Sequence, residues 1–130
     1  MEVAYAFLAD AATVDAGGKL NALGIFDSIL VRSFPANHAR LYVVLSLRTW
    51  GSEAGTHRLR LLYVDGDGKP LLPPIEHEFT APARAASQKI IVEVNGLPLP
   101  AAGPYSFEAA VDGHHMVSLP LNVTGGPAAV

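Results

Sequence analysis

The chain has 130 residues, half of them apolar and 16% charged, with no cysteine and a formal charge of −3. A chain of that length forms one domain and buries roughly two thirds of the surface its unfolded form exposes, so its core needs no disulfide or metal staple. The composition excludes intrinsic disorder; the missing cysteines exclude thiolate metal sites and cysteine nucleophiles and fit a reducing cytoplasm; nine scattered basic residues make no footprint for nucleic acid.

Met1-Glu2-Val3-Ala4-Tyr5 enters strand-like sequence directly, without a basic n-region or a cleavage site, and reads as the mature start. Strands are predicted over about 2–12 and 19–32, joined by the turn Asp15-Ala16-Gly17-Gly18-Lys19. Both are apolar on two faces, which implies central positions in a sheet or a second surface covered by a partner. Asp10, Asp15, Lys19 and Asp27 interrupt this region before it reaches the roughly 20 apolar residues of a membrane span, so a soluble protein with no membrane contact is expected.

From residue 40 the pattern alternates with period two. Leu41, Val43, Leu45 and Leu47 oppose Arg40, Tyr42, Ser46 and Arg48; Leu59, Leu61 and Tyr63 then oppose Arg58 and Arg60. Asp65-Gly66-Asp67-Gly68 is a turn, and Pro70, Pro73 and Pro74 make the strand near 75–80 an edge or one that begins after a bulge. Residues 81–87 read as a loop. Ile90, Val92 and Val94 define a further strand; Tyr105, Phe107, Ala109 and Val111 another; and Val117, Leu119, Leu121 and Val123 the last, after Asp112-Gly113. Short strands at this spacing without a long helix predict an all-β fold, an antiparallel two-sheet β-sandwich of Ig-like kind with about seven to eight strands over 1–124, and a flexible C-terminal tail over 125–130.

Several constellations suggest chemistry and fail on spacing. Asp65, Asp67 and Glu76 fit three places of a calcium-binding loop, but Lys69 and Pro70 occupy the fifth and sixth, where a ligand and a glycine belong. His38, His57, His77, His114 and His115 lack metal-site spacing; adjacent His114 and His115 point to opposite faces, while His57 and His77 fall on facing strands and can approach as a pair. No serine sits in a nucleophile elbow, and Gly17-Gly18-Lys19 is too short for a phosphate loop. Neither catalytic nor metal-binding residues are assigned, and no cofactor is expected.

Leu8-Ala9-Asp10-Ala11-Ala12, Gly18-Lys19-Leu20-Asn21-Ala22-Leu23-Gly24-Ile25-Phe26-Asp27 and Phe34-Pro35-Ala36-Asn37-His38 make a pattern continued by Gly96-Leu97-Pro98-Leu99-Pro100 and Gly103-Pro104-Tyr105-Ser106-Phe107. In these marks the chain resembles an uncharacterised family of small bacterial domains, over nearly its whole length. The resemblance implies a bacterial, cytoplasmic, stand-alone domain and supplies no mechanism. Physically, Gly24 marks a bulge or close approach, Asp10 and Asp27 are placed to bond backbone amides, Phe34-Pro35 stiffens a crossover between sheets, and Tyr105 suits a tyrosine corner.

The candidate interaction surface is the set Tyr42, Arg48, Trp50, Arg58 and Arg60, expected as neighbours on the outer side of consecutive strands, since aromatic and arginine side chains anchor interfaces. The expected function is a non-catalytic protein-binding or self-assembly module, in its simplest form a homo-oligomer. A small-ligand or carbohydrate-binding sandwich is the alternative, and a histidine-carboxylate enzyme the third.

Overall fold

The computed structural model of the chain describes residues 1–125. In order it contains β1 (Glu2–Val14), β2 (Leu20–Phe26), β3 (Ser28–Val31), β4 (Ala36–Thr49), a single 3-10 turn (Gly51–Glu53), β5 (Gly55–Asp65), β6 (Ile75–Ala81), β7 (Ala86–Leu99), β8 (Gly103–Val111) and β9 (His114–Gly125). They form a four-stranded sheet, β2-β1-β4-β7, and a five-stranded sheet, β3-β9-β8-β5-β6. The all-β expectation stands. Apart from Gly125, which ends β9, the expected tail lies outside the described residues. Among the described residues no helix is long and apolar enough to cross a membrane.

One expectation about strands needs correction. The segment expected as one strand over 19–32 is two, because the chain leaves one sheet at Asp27 and joins the other, where the Asn122 amide donates to the Asp27 carbonyl at 2.8 Å. That raises the named strands to nine, and it makes the pairing of β3 with β9 parallel in an otherwise antiparallel fold. An edge strand that changes sheets without reversing takes whatever orientation its new neighbour has. Of the two strands read as central or covered by a partner, β1 lies inside its sheet, whereas β2 is an edge. Apolar residues on both faces do not reveal whether a strand is paired on both sides.

The alternation read in β4 holds for its inward side. Leu41, Val43, Leu45 and Leu47 are fully buried and share one core with Leu59, Leu61, Tyr63, Phe107, Ala109 and Leu121 of the other sheet. Val44 and Ser46, on the outward side, are buried as well, because β4 is central: Phe7 and Ile91 flank Val44, and Tyr5 and Lys89 flank Ser46. The proline-preceded β6 is an edge, the first of the two readings its sequence allows.

Local devices fix the register. Asp15-Ala16-Gly17-Gly18-Lys19 and Asp65-Gly66-Asp67-Gly68-Lys69 are the same turn built twice. In each, the first Asp accepts the amides two and four residues on, at 2.9 to 3.0 Å, and the fourth residue is a glycine at φ 79°. The Asp65 carboxylate is thus committed to its own loop. Tyr105 makes the expected corner, its hydroxyl donating to the Ala101 carbonyl at 2.6 Å and accepting the Ala101 amide at 3.2 Å. The Phe34–Pro35 bond, which is cis, lies in the crossover from β3 to β4 and so between sheets.

Gly24 is needed for two reasons. Its φ is 66°, and a Cβ there would fall 2.3 Å from Asp10 Oδ2. Among the described residues the Asp10 carboxylate accepts no backbone amide; it packs over Gly24 instead. The Asp27 carboxylate takes the Ser28 hydroxyl at 3.3 Å rather than an amide. Gly24→Ala is expected to cost about 1–2 kcal/mol in urea unfolding, chiefly from the left-handed backbone. In an Asp10→Ala background the penalty should shrink, since the clash with the carboxylate is then gone and only the Asp10 Cβ, 3.0 Å away, still presses on the new methyl group; an unchanged penalty would show that the carboxylate contributes none of it.

Candidate functional site

The structure divides the expected patch. Tyr42 and Arg48 lie on β4, and Trp50 just beyond its end, in the four-stranded sheet, whereas Arg58 and Arg60 lie on β5 in the other sheet. A hairpin between β4 and β5 would have made the five neighbours; the connection through Gly51–Glu53 is instead an arch between layers. On the five-stranded side Arg58 pairs with Glu76 at 2.7 Å and with Glu78 at 3.5 Å. On the other side Arg48 reaches Glu2 at 3.5 Å, and Arg40 reaches Glu93 at 3.6 Å while lying 6.0 Å over the Tyr42 ring. Exposed pairs of this kind contribute at most about 1 kcal/mol each.

The unusual surface is elsewhere, on the β1–β2 flank. Leu8 points into the core, so Ala9 and Ala11 face outward, and their register partners Ile25 and Leu23 share that side. Leu23 is 74% exposed and Ile25 61%. Among the described residues, Leu23, Ile25 and Tyr5 lie exposed on this outer face, whereas exposed Val14 falls on the opposite side of β1, Leu30 on β3 in the other sheet and Trp50 beyond β4. Beside them opens an apolar cleft of about 320 Å³ lined by Ala6, Phe7, Leu8, Ile25, Phe26, Leu119 and Pro120, with Asp27 as its one charged wall. Sequence reading found the two-faced apolar pattern here but placed the recognition residues on the more conspicuous Trp and Arg side chains.

His57 is tied into the fold by both ring nitrogens. His57 lies opposite Phe79, on which its ring stacks at 5.5 Å, while His77 lies opposite Leu59, so the expected His57–His77 pair does not form. His57 Nδ1 meets Asp112 Oδ2 at 2.5 Å and Nε2 meets the Glu53 carbonyl at 2.6 Å. Each nitrogen faces an acceptor, so the protonated ring can donate both ways and tie the 3-10 turn to the β8–β9 turn. No ring nitrogen remains for a substrate. The Asp112 hydrogen bond first, then the Glu53 carbonyl, raises the His57 pKa; the His57 hydrogen bond and then the Arg58 amide lower that of Asp112.

These shifts set a pH window. The stabilisation from His57 is complete below its unfolded pKa, about 6.5, and is lost as pH rises through the higher folded value; that from Asp112 is complete above about 3.9 and is lost as pH falls through its lower folded value. Asp112 is 45% exposed, so solvent screening holds the effect to about 1–2 kcal/mol. His57→Ala is therefore expected to lower unfolding free energy most between about pH 4 and 6.5, the difference shrinking on either side. A difference that does not vary with pH would show that only the ring's packing on Phe79 matters.

On the outer face of the five-stranded sheet His115 Nε2 meets both Glu108 (3.2 Å) and Ser118 (3.1 Å), and Ser118 donates to Glu108 at 2.6 Å. A nucleophilic relay needs the hydroxyl on one ring nitrogen and the carboxylate on the other. Here one nitrogen serves both, and the hydroxyl proton goes to the carboxylate. Burial works to raise the Glu108 pKa, but hydrogen bonds from Ser118, Ser106 and His115 together hold it below its usual range. Among the described residues no three His, Asp or Glu side chains are grouped to hold a metal ion.

A model of a family of unknown function, DUF6941, matches residues 4–124. No curated protein matches the chain.

Proposed function

The chain belongs to that family of unknown function, DUF6941, and from this premise we propose that it is a non-catalytic binding module that assembles with a second copy of itself through the β1–β2 flank. The observation that carries the reading is the exposure of Leu23 and Ile25 side by side on β2, on the outer face that Tyr5 of β1 also shares. Apolar side chains left to water in one cluster lower their free energy when a partner covers them, by about 25 cal/mol per Å². The fold is read as an Ig-like sandwich in which the β2–β3 ribbon edges both sheets, and the setting as the bacterial cytoplasm. Light scattering through a dilution series tests the proposal. A mass above one copy that falls on dilution supports it; a single-copy mass at every concentration overturns it.

A second reading, a carbohydrate- or small-ligand-binding sandwich, has one feature in its favour. Trp50 is 44% exposed and shares a shallow groove with Arg48, Thr49 and Ser87, a platform on which a sugar ring could stack. Tryptophan fluorescence unmoved by a glycan panel would remove it.

A further inference from the structure

We propose that two copies join edge to edge along β2, antiparallel and centred on Leu23, to make one continuous eight-stranded sheet; the inference rests on the self-assembly reading above. The two sheets have four edge strands, β2, β7, β3 and β6. Three carry features that discourage pairing with another chain. β6 follows Pro73-Pro74 and holds Glu76 and Glu78, β7 holds Lys89, Glu93 and Pro98, and β3 is four residues long and runs into Arg32. β2 reads Leu20-Asn21-Ala22-Leu23-Gly24-Ile25-Phe26, with neither charge nor proline. Its outer side is a row of backbone donors and acceptors broken only at Gly24, with no charged side chain or proline to turn a strand away.

Charge selects a second copy as the occupant. Lys19 and Asp27 stand at the two ends of β2, both exposed, and among the described residues neither is in an ion pair. Antiparallel pairing about Leu23 sets Lys19 of each copy opposite Asp27 of the other. The same register opposes Leu20 to Phe26, Asn21 to Ile25 and Leu23 to Leu23. Ala22 meets Gly24, whose left-handed kink (φ 66°) interrupts the ladder locally and brings no side chain into the seam. Each Leu23 and Ile25, wet in the single copy, gains a cross-strand neighbour on the same face.

The absence of cysteine makes the test direct. Opposed Cα atoms in an antiparallel pair are about 4.5–5.5 Å apart, within the range a disulfide spans. Leu23→Cys is expected to cross-link into dimers under mild oxidation, while Leu30→Cys, equally exposed but on β3, stays uncross-linked. Lys19→Asp should weaken the dimer about tenfold by opposing like charges, and Lys19→Asp with Asp27→Lys should restore it. If the wild-type chain dimerises but Leu23→Cys does not cross-link and the charge swap does not rescue, edge pairing is overturned and self-assembly survives. If the wild-type chain is a monomer throughout, both fall.

Discussion

Replacing Leu23 and Ile25 together by glutamate is expected to leave the chain folded and turn it monomeric. At 74% and 61% exposure the two side chains contribute little to the core, so the urea midpoint should move by no more than an ordinary surface substitution moves it. Association is another matter. In a two-fold pair four such side chains are covered in part, worth together about 3 kcal/mol, or roughly a hundredfold in dissociation constant. Glutamates across the two-fold axis add like-charge repulsion. Sedimentation velocity reads the loss, and Arg60→Ala, on the opposite sheet, should leave association unchanged. An association constant that ignores the double substitution would place the interface elsewhere.

Phe107→Ala should be the most damaging single truncation in the core. Phe107 is wholly buried at the centre of the five-stranded sheet, with the Tyr63 ring 5.0 Å away and Tyr105 stacked on Tyr63 at 5.7 Å. Removing its ring deletes buried apolar area and leaves a cavity that strands paired on both sides cannot close, at a cost of about 3–5 kcal/mol. Against a total stability of about 5–15 kcal/mol that loss brings the domain near unfolding at 37 °C. Phe107→Leu, which keeps most of the volume, should cost about 1–2 kcal/mol. Urea titrations of the two variants would show it; equal, small losses would mean the core relaxes around the gap.

The strands were legible in the sequence because each inward set, such as Leu41, Val43, Leu45 and Leu47, repeats every second residue between glycine or proline stops. Pairing was not. Nothing in Lys19–Arg32 announces that the backbone leaves one sheet at Asp27, since the two-faced apolar pattern continues on either side of the switch. The split of Tyr42, Arg48 and Trp50 from Arg58 and Arg60 has the same origin: a connection of a few residues can be a hairpin or an arch, and periodicity reads the same for both. Local geometry fared better where one residue type carries it, as at Tyr105 and at the two Asp-x-x-Gly turns. Of the candidate site, the doubly apolar β1 and β2 were visible, but whether a second sheet neighbour or water covers them is decided by strand order. His57 was read toward His77 because its true partner, Asp112, lies in the β8–β9 turn, brought alongside only by the pairing of β5 with β8.

That the β1–β2 flank is covered by another copy in solution is most directly tested by mixing isotope-labelled with unlabelled protein and recording isotope-filtered nuclear Overhauser spectra. Contacts between copies are predicted from the Leu23 and Ile25 methyl groups. Contacts arising only from the face that carries Arg58, Arg60 and Leu62, or none at a concentration where the chain is assembled, would contradict the account.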